Sequence, residues 1–234
     1  LIQRRFPHHD SHSLFNRDTT MRKPVCLLFI FLAFTTSAVN AQEFQNIFNG
    51  KDLSGWDGKA GFWTVKDGAI VGETTQEKPA KPNTFLIWQG GEVSDFEFKA
   101  TVRFKGNNSG VQYRSALINP ENFALKGYQA DLHPKPAFFG MMYGEQTGRG
   151  IIAQRFQRVE AGAKGKPKVI AEIGDKNQKL VDWEWNEIRI VAVGNRMVHQ
   201  INGINTIDLT DRHPDAFSKG VLGLQLHAGP PMKV

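Results

Sequence analysis

Cysteine is almost missing from this chain: Cys26 is the single one in 234 residues, and it sits inside an apolar run near the start. No disulfide can brace the remainder, and cysteine-based structural zinc sites are excluded. A sustained helical period is missing as well, so bundles and doubly wound α/β folds do not fit. No stretch combines clustered Lys and Arg with stacking aromatics, which argues against a nucleic-acid partner. The formal charge of +6 agrees with this. Residues 1–41 hold five of the 29 basic residues and two of the 23 acidic ones, leaving 24 against 21, or +3. There is no Gly-Lys-Ser/Thr phosphate loop and no Ser/His/Asp arrangement with supporting context. The Glu-x-Asp-x-x-Glu carboxylate pattern of many sandwich glycosidases is not found either, which lowers the expectation of ordinary double displacement.

What is there suits a folded domain. An apolar fraction of 40% and a charged fraction of 22% lie in the ordinary globular range, and Gly 23 with Pro 11 fit a turn-rich chain. Met21-Arg22-Lys23 is a short positive segment, residues 25–34 (VCLLFIFLAF) are apolar, and Val39 and Ala41 are the small residues before a cleavage point at Gln42. This is the pattern of a secretory signal peptide, and the apolar run is short for a stable membrane span. The expected organisation is therefore an untranslated or disordered extension at 1–20, a signal peptide at 21–41 and one domain at 42–234. The mature form is expected to be exported, to the periplasm or beyond, and to carry no thiol.

Period-2 alternation dominates after residue 60. Phe96, Phe98, Ala100, Val102 and Phe104 alternate with Glu97, Lys99, Thr101 and Arg103, which makes one half-buried strand. Further strands are expected at 62–65, 69–71, 84–88, 110–114, 127–132, 168–173, 187–193, 197–201, 206–209 and 221–227. Turn pairs such as Asp67-Gly68, Gly194-Asn195 and Asn202-Gly203 separate them. Many short strands without helices between them predict an all-β jelly-roll sandwich of two antiparallel sheets. Residues 231–234 read as the opening of another strand, so the last strand of the sandwich is expected to be missing from this sequence.

Three strands carry polar pairs two residues apart: Gln112 with Arg114, Gln129 with Asp131, and Gln225 with His227. Residues two apart share a face, and the intervening residues are apolar, so the polar side is expected to face away from the core. Amides, a guanidinium, a carboxylate and an imidazole on one face can supply the paired donors and acceptors that sugar hydroxyls need. A plain solvated face is the alternative. The Gly-rich stretch 143–150 reads as a loop over that face, carrying Tyr143, Glu145 and Arg149, with Arg155 and Arg158 close behind. His133, His199, His213 and His227 lack metal-ligand spacing, and no metal is assigned with certainty; a calcium ion on Asp131, Glu145 and carbonyls is the one cofactor candidate.

An ordered set of motifs then resembles one family, the bacterial 3-keto-disaccharide hydrolase domain. It runs FQNIFNGKDLSGW at 44–56, W-x-V-x-DGAIVG at 63–72, NNSGVQYR at 107–114, GYQAD at 127–131, WNEI at 185–188, NG at 202–203 and GLQLH at 223–227. The resemblance spans 44–234. It implies a concanavalin-like fold, export, and action on glycosides oxidised at C3. Many members carry Glu where Gln129 stands, so a base must come from elsewhere. On this reading Asp131 or Glu145 is the candidate base, with His227 as alternative base or leaving-group acid. Arg114 and Arg149 are expected to stabilise an enolate oxygen, and Asn108, Gln112, Gln129, Tyr143, Arg155 and Gln225 to hold hydroxyls of a small carbohydrate. A non-catalytic carbohydrate-binding module of the same fold is the alternative, and a structural exoprotein without a small ligand is a third reading.

Overall fold

The computed structural model describes residues 2–5, 43–178 and 183–234. The signal peptide read at 21–41, Cys26 and most of the extension read at 1–20 lie outside the described residues. Within them the chain is all strand, with no helix. In chain order the strands are β1 (Ile2–Arg5), β2 (Gln45–Asn46), β3 (Trp56–Gly58), β4 (Trp63–Lys66), β5 (Ala69–Thr74), β6 (Thr84–Trp88), β7 (Phe96–Val102), β8 (Lys105–Gly106), β9 (Ser109–Asn119) and β10 (Ala124–Leu132). They continue with β11 (Met142–Glu145), β12 (Gly150–Ala153), β13 (Gln157–Ala161), β14 (Lys168–Glu172), β15 (Asn186–Val193), β16 (Arg196–Ile201), β17 (Ile204–Asp211), β18 (Val221–Leu226) and β19 (Met232–Lys233).

Two large sheets face each other. The back sheet has the order β14-β13-β17-β16-β15-β7-β1-β2, and the front sheet β12-β11-β10-β9-β18-β6-β3. A smaller sheet, β4-β5-β19-β8, completes the fold. Pairing is antiparallel except where β13 runs parallel to β17. The alternation seen in the sequence sets the inner faces. Phe96, Phe98, Ala100, Ile188, Ile190 and Ala192 of the back sheet meet Val111, Tyr113, Tyr128, Ala130 and Leu226 of the front sheet in one buried cluster. Each such large side chain contributes about 1.5–3 kcal/mol on leaving water, which lets the domain stand without disulfides. Val102 and Leu224, expected inside, are only half-buried at the margin of the core.

Two departures from the sequence reading matter. Ile2–Arg5, read as part of an extension outside the domain, pairs with both β7 and β2, and Ile2 is buried. The edge of β7 would otherwise leave its backbone groups unpaired, and any extended segment can satisfy them. The stretch 143–150, read as a loop, is a hairpin: β11 and β12 pair through Met142–Ala153 and Tyr143–Ile151, with the turn between them. Its glycines masked the alternation.

Candidate active site

The face of the front sheet that turns away from the core carries the polar residues. Cross-strand register fixes this. Gln129 on β10 lies opposite Gln112 on β9 and opposite Tyr143 on β11, and Tyr143 lies opposite Ile151 on β12. Directly paired residues share a face, so the row runs Gln112, Gln129, Tyr143, Ile151 across the sheet. Asp131 pairs with Gly110, one step along. The missing side chain there is required, because a Cβ on Gly110 would stand 2.6 Å from the Gln129 side chain.

A cleft of 730 Å³ opens on this face. Asp131 forms part of its lining, with Asn108, Gln129, Tyr143, Glu145 and His227. Asp131 is 1% exposed. Its Oδ1 accepts from Gln129 Nε2 at 2.6 Å, and its Oδ2 has no partner. Burial pushes the carboxyl up to about 7; hydrogen bonds from Gln129 and Asn108 hold it down in part, and the nearby Glu145 charge raises it further. Gln129 also donates to Gln225 Oε1 at 3.2 Å, so Gln225 supports the floor from beneath. Glu145 is buried and accepts from Asn83 Nδ2 at 3.0 Å. Asn83 in turn accepts from the backbone N–H of Ala228 at 2.8 Å, tying Glu145 to the strand end that carries His227. His227 Nδ1 lies between Asn107 Nδ2 at 3.2 Å and the Ala228 carbonyl at 2.5 Å. Tyr143 is half-buried, and burial together with Glu145 and Asp131 raises its hydroxyl, which stays a donor.

Five expectations need correction. Arg114 does not share the polar face with Gln112. Lys126 pairs with Ala116 and Tyr128 with Tyr113, so Arg114 and Ser115 together oppose Gly127 in a bulge. Arg114 takes φ 45° there and turns between the sheets. Its guanidinium donates to the carbonyls of Ser94 and Gly194, both at 2.7 Å, and to Asp95 at 3.1 Å. Arg149 does not reach the cleft. It grips Asp211 with two hydrogen bonds, of 2.6 and 3.1 Å, and Tyr128 donates to the same carboxylate at 2.6 Å. Arg155 bonds the Pro136 carbonyl and Gln178, and stacks on Phe156. Gln112 and Gln225, both expected to hold hydroxyls, are on the right face but fully buried, outside the cleft lining. Tyr143 and Glu145 stand on a strand, not on a loop. As for calcium, no group of three or more His, Cys, Asp or Glu among the described residues could hold a metal ion; Asp131 and Glu145 meet amides instead.

Sequence reasoning missed Asn83, His133, Phe138, Met141 and Ile151, which also line the cleft. Asn83 precedes β6 in a Lys/Pro-rich stretch, and only the folded register brings it to Glu145. Ile151 was readable in principle, as it alternates with Ile152 just after the glycines.

A β-sandwich of two mainly antiparallel sheets, with a cleft of amides and carboxylates on its outer face, is a jelly-roll, concanavalin-like architecture. The chain belongs to the 3-keto-alpha-glucoside-1,2-lyase-like domain family, whose model matches residues 43–234. Its fold is similar to that of the carbohydrate-binding module CBM66 from Bacillus subtilis, at 18% identity and a TM-score of 0.50, covering 77% of this chain and 91% of that one. It is also similar to a candidate glycosyl hydrolase from Parabacteroides distasonis, at 20% identity and a TM-score of 0.51, covering 81% and 89%. No relative was found among proteins of curated function.

Proposed function

We propose that this protein is an exported enzyme that cleaves 3-keto-glycosides by removing the C2 proton and eliminating the C1 substituent. The carrying observation is Asp131: a buried carboxyl with an unpartnered oxygen at a cleft floor, poised near neutrality. A ketone at C3 acidifies the hydrogen at C2. The Asp131 carboxylate accepts that proton, the electron pair forms the enolate, and its collapse breaks the bond from C1 to the aglycone oxygen. The leaving oxygen takes a proton from His227. The unsaturated 3-keto sugar is the lyase product, and addition of water across C1–C2 gives net hydrolysis. A base with a pKa near the working pH suits such a step. With the guanidinia of Arg114 and Arg149 committed elsewhere, the donors left for the enolate oxygen are Asn108, the Tyr143 hydroxyl and His227.

The family description supports this reading, and export rests on the leader pattern at 21–41. A pure binding module of the same fold has no use for an unpartnered buried carboxyl, which costs stability and needs a reason. Incubation with a 3-keto-glucoside is expected to release the aglycone. Asp131→Asn keeps the shape and is expected to lower kcat by roughly a hundredfold or more. Release by wild type and variant at the same rate would remove Asp131 from the mechanism. No release from any 3-keto-glycoside would leave the binding-module reading.

A further inference from the structure

The cleft is not uniformly polar. Its floor holds Gln129, Asp131 and Glu145, but the row that starts at Gln129 continues through Tyr143 to Ile151 on β12, the edge strand of the front sheet. Neighbouring strands lie about 4.8 Å apart, so the Ile151 side chain stands roughly 10 Å from Gln129, one sugar ring beyond the floor. Ile151 is 40% exposed and supplies an apolar side chain to the lining of an otherwise largely polar cleft end. Charge points the same way. Among the described residues that line the cleft there are two carboxylates and no lysine or arginine. An anionic group held there would face Asp131 and Glu145 with no permanent cation to offset them.

We infer that Tyr143 and Ile151 form a leaving-group subsite that selects 3-keto-glycosides with an apolar, uncharged aglycone. The inference rests on the proposed 3-keto-glycoside chemistry and adds the substrate class. The sugar ring occupies the floor with C2 over Asp131, and the aglycone lies outward on the Tyr143 ring and the Ile151 side chain. Half-burying a phenyl ring on such a surface is enough for roughly a tenfold effect.

The test uses the full chain with methyl, benzyl and 4-carboxybenzyl 3-keto-glucosides. Benzyl is expected to exceed methyl in kcat/KM by roughly tenfold, mostly through KM. The 4-carboxybenzyl substrate is expected to fall back to the methyl level or below. Ile151→Ser, at an exposed position on the edge strand, is expected to abolish most of the benzyl advantage over methyl, and Ile151→Leu to restore it. Equal kcat/KM for benzyl and methyl, or a benzyl advantage that survives Ile151→Ser, would overturn the subsite. Loss of turnover with all three substrates is failure of the proposed chemistry instead. Calorimetry with the unoxidised benzyl and methyl glucosides then decides the subsite on its own: tighter benzyl binding that depends on Ile151 upholds it, and equal binding overturns it.

Discussion

At the scale of the residue, Asp131 carries the proposed chemistry and a cost to the fold. Its pKa near 7 in the fold lies above the ordinary carboxyl value of 3.8. A raised folded pKa means that folding favours the protonated acid. The stability it contributes is complete below the unfolded value and is lost as pH rises through about 7. Above pH 7 the charged, buried carboxylate burdens the fold. Asp131→Asn is therefore expected to stabilise the protein at pH 8 by on the order of 2–4 kcal/mol, as a rise in the denaturant midpoint, with little change at pH 4. The same group should give kcat/KM an ascending limb with a midpoint near pH 7, absent in the variant. Of the residues lining the cleft, Gln129 and Asp131 were legible from parity alone, because β10 alternates through them; Gln225 shares their face but lies buried outside the lining, and His227 stands just past the end of β18. Arg114 was not, because nothing in NNSGVQYR announces that the strand bulges at its last residue. Arg114→Ala is expected to lower stability by about 3 kcal/mol, through the Ser94 and Gly194 carbonyls left without their donor and the lost pairing with Asp95, while KM stays put. A large rise in KM with unchanged stability would return Arg114 to the cleft.

At the scale of the element, the decisive unit is the β11–β12 hairpin, which carries Tyr143, Glu145 and Ile151. It is held down by Arg149, whose guanidinium reaches back to Asp211 at the end of β17 on the other sheet. Tyr128 completes the clasp from β10. The sequence displayed this arginine beside Glu145 and suggested a catalytic cation; buried pairing with a distant aspartate is invisible to spacing. Asp211 is held below the usual carboxyl range, because the hydrogen bonds from Arg149 and Tyr128 outweigh the burial that pushes it up. Arg149→Ala leaves a buried carboxylate without its counter-charge and is expected to cost about 3–5 kcal/mol. The pair Arg149→Met with Asp211→Leu is expected to recover much of that stability. Activity should fall in the single variant through displacement of Glu145. Thermal melting and kcat measured on the same preparations check this, and full activity in a destabilised Arg149→Ala would separate the clasp from the site.

At the scale of the whole molecule, the sandwich was the most legible feature. Two sheets of alternating strands follow from Phe96-x-Phe98-x-Ala100 and its counterparts without any site knowledge. Less legible were the polar links that cross between the sheets: Tyr113 to His199 at 2.9 Å, and Arg114 to the Gly194 turn. His199 is fully buried, and burial lowers its pKa to about 4. A depressed folded pKa means that stability from this group is complete above 6.5 and is lost as pH falls through about 4. The opposite slope of Asp131 offsets part of this loss between pH 7 and 4. The Asp131→Asn variant is therefore expected to lose stability more steeply on acidification than the wild type, by roughly 3 kcal/mol from pH 7 to 4. Urea midpoints across that range check it. Parallel slopes in the two proteins would show that Asp131 is not buried as an acid.

The central claim is that the protein removes the C2 proton of a 3-keto-glycoside with Asp131. The direct measurement is proton NMR of a 3-keto-glucoside turned over in deuterium oxide. The account requires that the C2 hydrogen be lost from the unsaturated product, or replaced by deuterium in the hydrated one, at a rate that falls at least a hundredfold in Asp131→Asn. A hydrolysed sugar that keeps its original C2 hydrogen in full would contradict it, because the C1 bond would then have broken by direct displacement.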